Sequence, residues 1–196
     1  MRTSGGGIRI SNLSGDLQNI QTSGGSLLIE NVSSNIVGRT SGGSVTARNS
    51  SGTITLRTSG GRVEIDNLNG VIAARTSGGR IIANDIQGTL EAHTSGGSVT
   101  LNRLSGSVVA STSGGNISVG MLSVDDFVRL STRGGNANLS LPEQGYNLNV
   151  RGERISTSGL RDFRGNMDLR RQLNGTVGGG GAEINVRGQR VNLTFR

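Results

Sequence analysis

The tetrapeptide Thr-Ser-Gly-Gly begins at Thr3, Thr22, Thr40, Thr58, Thr76, Thr94 and Thr112, and a degenerate copy, Thr-Arg-Gly-Gly, begins at Thr132. The intervals are 19, then 18 five times, then 20 residues. A short constant period predicts a stack of like units, each burying its apolar face only against its neighbours. Within most repeats a second glycine falls halfway, so Gly43, Gly52, Gly61, Gly70 and their successors to Gly115 stand nine apart. The 34 glycines are therefore phased. Phased glycines mark turns, whereas scattered ones would indicate a flexible tract.

Counting from each glycine, the second residue is branched and apolar: Val45, Ile54, Val63, Ile72, Ile81 and so on to Ile117. The fourth is apolar but varies in size, as in Ala47, Leu56, Ile65 and Ala74, and the residues between are mostly polar. This period of two predicts half-buried strands, and the regular glycines would break a helix. The predicted fold is all-β: a two-sheet parallel β-solenoid of about 18 residues per coil, each coil made of two strands and two turns. Its rise is the strand spacing of about 4.8 Å, and its hand is right, as for nearly all parallel crossovers.

The two turns differ. One carries Leu13, Val32, Leu68, Ile86 or Leu104 just ahead of the mid-repeat position, which predicts an apolar plug at one edge of the core. At the other turn the serines of Thr-Ser-Gly-Gly, such as Ser41, Ser59 and Ser77, are expected to face inward. The threonines would cap the turn, and the paired glycines would supply positive φ or close approach. Residues 1–120 form the regular repeats. Residues 121–196 hold all four aromatic residues and the one proline, and read as irregular final coils and a cap of the same domain. Strands are predicted there over Asn136–Leu141, Tyr146–Val150, Ala182–Val186 and Arg190–Phe195.

The composition excludes several kinds of chemistry. Without cysteine there is no disulfide, no thiol nucleophile and no Cys-based metal site. Without lysine there is no P-loop, and the Gly178–Gly181 run lacks the strand–helix setting of a nucleotide motif. The repeat turns carry Asn and Thr in place of the Asp columns of calcium-binding β-rolls. Thr53-Ile54-Thr55 is the one Thr-x-Thr strand of the regular coils, too little for an ice-binding face. The Asn-x-Ser/Thr matches at Asn12 and Asn31 follow from composition. Glu64 and Asp66, the neighbouring acids of the regular strands, are expected to pair with Arg48 and Arg80, leaving no acid cluster for polysaccharide cleavage. No cofactor, metal or catalytic residue is expected. No apolar stretch reaches the length of a membrane span, and no signal peptide precedes the first repeat, which suggests a processed or excised piece.

What remains is surface pattern. The net charge is +7, and every basic residue is Arg. A period of 18 places Arg39, Arg57, Arg75 and the single histidine, His93, in one column, beside Val37, Thr55, Ala73, Glu91 and Val109. Stacked arginines repel unless an anion or carboxylate lies between them, so this column is the candidate ligand-binding site.

The repeated Thr-Ser-Gly-Gly-Ser-hydrophobic strands with mid-repeat Ser-Gly or Asn-Gly resemble a bacterial, adhesin-type β-strand-repeat family of unknown function. Gly135-Asn-Ala-Asn-Leu-Ser-Leu-Pro142 and Asn174-Gly-Thr-Val-Gly-Gly-Gly-Gly181 resemble that family's closing segments. The resemblance spans nearly the whole chain. It implies an exported, extracytoplasmic solenoid of the cell envelope, and it supplies no catalytic or binding residues. The leading expectation is thus a non-enzymatic envelope or cell-surface scaffold of adhesion type. Its partners would be surface polysaccharide or another envelope protein, with no specific nucleic acid and with end-to-end self-association through the coil ends. Two alternatives stand beside it. A glycan- or polyanion-binding module using the arginine ladder would show steep salt dependence, and a polysaccharide-processing enzyme would show turnover.

Overall fold

A computed structural model describes residues 1–196. The chain is all-β and without helix, a β-solenoid of about eight turns whose parallel coils follow one another about 18 residues apart. A short β1 (Arg2–Thr3) pairs with the end of β2 (Ile8–Thr22). The regular coils continue through β3 (Leu27–Arg39), β4 (Val45–Arg57), β5 (Val63–Arg75), β6 (Ile81–His93), β7 (Val99–Thr112) and β8 (Ile117–Thr132). Each pairs in parallel with the next at a constant offset, so Val45 faces Val63, then Ile81, then Val99. The two odd intervals are absorbed by register shifts, one between Gly15 and Gln18 in β2 and others within β7–β8. The first of these leaves Leu17 exposed.

The mid-repeat corner is a bend within one hydrogen-bonded strand of 13 residues, where the sequence pattern suggests a turn between two strands. Two residues of opposite-handed backbone make the bend. Asn12, Asn31, Asn49, Asn67, Asp85 and Arg103 have φ between 48° and 56°. Asn and Asp tolerate this region better than other side chains. Three residues later Gly52, Gly70, Gly88 and Gly106 have φ of 111–132°. Between them Val32, Leu68, Ile86 and Leu104 turn inward and are fully buried, as their sequence pattern predicts.

At the Thr-Ser-Gly-Gly turn the structure corrects the sequence reading. The threonines face inward and the serines face solvent. Thr58 Oγ1 donates to Gly43 O of the preceding coil at 2.8 Å and accepts from Gly61 N of its own turn at 3.2 Å. The same pair of bonds recurs from Thr22 to Thr132. The reason is strand parity: Ile54, Leu56 and Thr58 are two apart and point the same way. The hydroxyl is buried, but both its hydrogen-bonding roles are filled. The second glycine of each turn is there for close approach, since a Cβ on Gly61 would stand 2.1 Å from Gly43 O.

The two arms of each coil pack face to face around one core of 45 buried residues that runs from Ile8 to Phe195. Gly38 of the second arm lies within van der Waals reach of Leu27 and Ile29 of the first. Large and small buried residues alternate along the coils, with Ile29 and Gly38, Ala47 and Leu56, and Ile65 and Ala74 on successive pairs of arms.

Beyond β8 the chain departs from simple winding. It forms β9 (Ala137–Leu141), β10 (Tyr146–Arg151), β11 (Arg154–Ser158), β12 (Phe163–Asp168), β13 (Gln172–Val177), β14 (Ala182–Arg187) and β15 (Arg190–Phe195). The four strands predicted here are present, and β11, β12 and β13 join them. The last two strands are intercalated. β14 lies in parallel between β8 and β10, and β15 lies in parallel between β9 and β11. The antiparallel ribbon β10–β13–β12 closes the second arm. Buried Tyr146 fills this end, donating from its hydroxyl to Pro142 O at 2.8 Å, with the Phe195 ring 6.1 Å away. Burial pushes its phenol well above the usual range.

Candidate functional site

The outward side chains of the second arm form two straight columns, because the constant offset brings equivalent residues into register. One column reads Gln21, Arg39, Arg57, Arg75, His93, Ser111 and Ser131. The other reads Asn19, Val37, Thr55, Ala73, Glu91, Val109 and Arg129. Successive members are one strand apart, about 4.8 Å along the backbone. Arg39, Arg57 and Arg75 line a shallow groove of about 350 Å³ between this face and the Thr-Ser-Gly-Gly turns, with no hydrophobic residue in its wall.

The four candidate residues are brought together but are not equivalent. Arg75 Nη2 donates to Glu91 Oε1 at 2.5 Å. His93 Nε2 lies 2.6 Å from that same oxygen, and its Nδ1 meets Ser111 Oγ. Partial burial pushes the Glu91 carboxyl up, but hydrogen bonds from His93 and Arg75 outweigh it and hold the group below its ordinary value. Glu91 thus neutralises one end of the ladder and ties up His93. Arg39 and Arg57 form no salt bridge, and they carry the uncompensated charge.

The turn backbone beside the groove adds no anion-binding donors. Ser59 N and Gly60 N both donate to Ser41 O of the preceding coil, at 3.2 and 3.0 Å, and the adjacent turns repeat this. Any anion held here is held by side chains: the guanidinium groups, with the hydroxyls of Ser41, Ser59 and Ser77 beside them. On the first arm Glu64 lies 3.4 Å from Arg48 Nη2, as expected. Asp66 and Arg80, expected to pair as well, make no ion pair; Arg80 sits in the turn ahead of β6 and outside the strand. No group of three or more His, Asp or Glu side chains is placed to hold a metal ion, and no helix is long and apolar enough to cross a membrane.

A second cluster was not legible in the sequence. Because β14 is inserted next to β8, the first column continues from Ser131 to Arg187 and Arg151, and the second from Arg129 to Asn185 and Asn149. These residues surround a recess of about 280 Å³. Arg129 stands on its wall, 4.4 Å over the Phe127 ring and 3.3 Å from Glu183. Arg151 and Arg187 are exposed and form no salt bridge. The 18-residue period could not have found this cluster, because β14 pairs with β8 at another offset, Ser131 facing Arg187.

Comparison with protein-family models, curated proteins and solved structures finds no match to this chain.

Proposed function

We propose that this chain is a non-enzymatic, adhesion-type scaffold of the cell envelope that lays its second-arm face against an acidic polymer. The observation that carries this reading is the in-register column of Arg39, Arg57 and Arg75, two of whose guanidiniums have no carboxylate partner. Close like charges on adjacent strands destabilise a sheet. They are relieved by a ligand that brings negative charge at similar spacing. A rigid row of equal sites gains through avidity, each bound group raising the effective concentration of the next. Planar guanidinium forks suit carboxylate, sulfate or phosphate groups. The sequence resemblance described above supports an extracytoplasmic setting.

The test is binding to alginate, heparin and polyphosphate at low and at physiological salt, with Arg39→Ser/Arg57→Ser/Arg75→Ser beside the parent. The expected result is binding that weakens steeply with salt, as screened surface charges require, and that falls in the triple variant. Equal binding by both proteins would remove this column from the interface. No binding to any polymer at low salt would refute the reading.

A further inference from the structure

We infer that the recess formed where β14 enters the stack binds a single carboxylated sugar, a uronic acid residue of a polysaccharide. The inference deepens the reading of this face as a polymer-binding surface, but it concerns different residues. Along the first column long side chains give way to Ser111 and Ser131, and then Arg187 and Arg151 follow. Two short residues on consecutive coils open a gap of about two strand spacings, roughly 10 Å. A pyranose ring fits that width. Ser111, whose hydroxyl His93 Nδ1 meets, stands at one side of the recess and Arg187 at the other.

The chemistry at the Arg187 side is specific. Arg151 and Arg187 are directly paired on adjacent parallel strands, and neither side chain has a hydrogen-bond or ion-pair partner within the chain. An incoming carboxylate can accept bidentate bonds from such a fork. Arg129 is already held by Glu183 and the Phe127 face, so it serves as a wall with its guanidinium fixed over that ring.

Beside the arginines stand Asn185 and Asn149, also paired, with Val109 completing the adjacent column. Side-chain amides and serine hydroxyls both donate and accept. That matches sugar hydroxyls, which do the same. A sulfate ester or phosphodiester offers acceptors alone and would leave the amide oxygens unmatched. A nucleobase would need an open aromatic face to stack on, and the one ring here, Phe127, is covered by Arg129. Carboxylate together with hydroxyls is the ligand that uses both halves of the recess.

The experiment is a calorimetric titration of the full chain at physiological salt. The ligands are tetramers of galacturonate, glucuronate and mannuronate, with a neutral galactose tetramer and inorganic phosphate as controls. At least one uronate tetramer is expected to bind, and both controls are expected to fail. Arg151→Gln/Arg187→Gln, exposed positions without partners, should weaken that binding about tenfold or more, as loss of charge-assisted bonds implies. Its melting temperature should match the parent, which separates a lost site from a lost fold. Asn149→Ala/Asn185→Ala should also weaken uronate binding, by less than the arginine pair does. Alginate binding by Arg39→Ser/Arg57→Ser/Arg75→Ser, measured in parallel, reads the polymer-binding face by itself, so failure of the recess and failure of that face are told apart. Binding by none of the uronates would overturn the inference. So would binding of phosphate with equal strength, or uronate binding indifferent to Arg151 and Arg187.

Discussion

The two glycines of Thr-Ser-Gly-Gly look interchangeable in sequence, yet Gly60→Ala and Gly61→Ala are expected to differ by several kcal/mol. A Cβ on Gly60 would meet nothing closer than Gly42 O at 3.7 Å, and its φ is not left-handed. That substitution should fall near neutral, or gain about 0.5 kcal/mol from a stiffer unfolded chain. A Cβ on Gly61 would stand 2.1 Å from Gly43 O, 2.5 Å from Gly43 C and 2.8 Å from Ser44 N. All three are backbone atoms and cannot rotate away. Ordinary contact requires the two coils to part by more than about 1 Å. Gly43 O is also the acceptor for buried Thr58 Oγ1, so parting the coils breaks that bond as well. Overpacking costs about 1–3 kcal/mol, and an unsatisfied buried hydroxyl costs about 1–3 kcal/mol more. The total of about 2–6 kcal/mol corresponds to a fall in Tm of about 4–24 °C for a chain of this size. Urea and thermal melts of the two variants beside the parent measure it. A repeat array is coupled through nearest neighbours, so Gly61→Ala should also broaden the transition. Equal stability of the two variants would refute the argument that coil-to-coil approach requires the second glycine.

Three further outcomes follow from the same structure. Thr58→Val removes both bonds of a buried hydroxyl and should cost about 1–3 kcal/mol, whereas Ser59→Ala, at an exposed position, should change stability by less than about 0.5 kcal/mol; denaturant melts decide. Gly38→Ala places a methyl at 3.4–3.6 Å from the ends of Leu27, Leu56 and Ile29, with an ordinary φ, and should stabilise by about 0.5–1 kcal/mol, read as a raised denaturation midpoint. Glu91 is held below its ordinary value in the folded chain, so its contribution is complete above the unfolded value of about 4 and is lost as pH falls through the lower folded value. Thermal melts between about pH 6 and pH 2 should therefore fall less steeply for Glu91→Gln than for the parent, and identical slopes would contradict the Arg75–Glu91–His93 network.

Much of the fold could be read from the repeat. The 18-residue interval places Arg39, Arg57, Arg75 and His93 in one column, and the alternation after each glycine names the buried residues. Two further signals lie in the sequence. Carrying the parity of Ile54 and Leu56 forward two residues puts Thr58, not Ser59, inside. The asparagine three residues ahead of the mid-repeat glycine, as in Asn49 and Asn67, marks a left-handed corner. Arg103 hid that pattern in its coil, where it is tied to Asp85 through a two-bonded guanidinium. Which arginines stay free was a matter of side-chain reach. Glu91 sits in the neighbouring column, and only the folded geometry shows it bonded to Arg75 and His93.

The sequence by itself determined the parallel β-solenoid, its register and the composition of its thin core, because a constant period leaves each residue one dominant neighbour, its counterpart one coil away. Tertiary structure alone decided how the stack ends. β14 and β15 enter between strands that precede them by dozens of residues, and hydrogen-bonding edges, apolar faces and the long return of the chain had to be satisfied together. No local pattern encodes that choice, since parallel strands pair through backbone groups common to every residue. The same insertion gathers Arg151, Arg187, Asn149 and Asn185 into one recess.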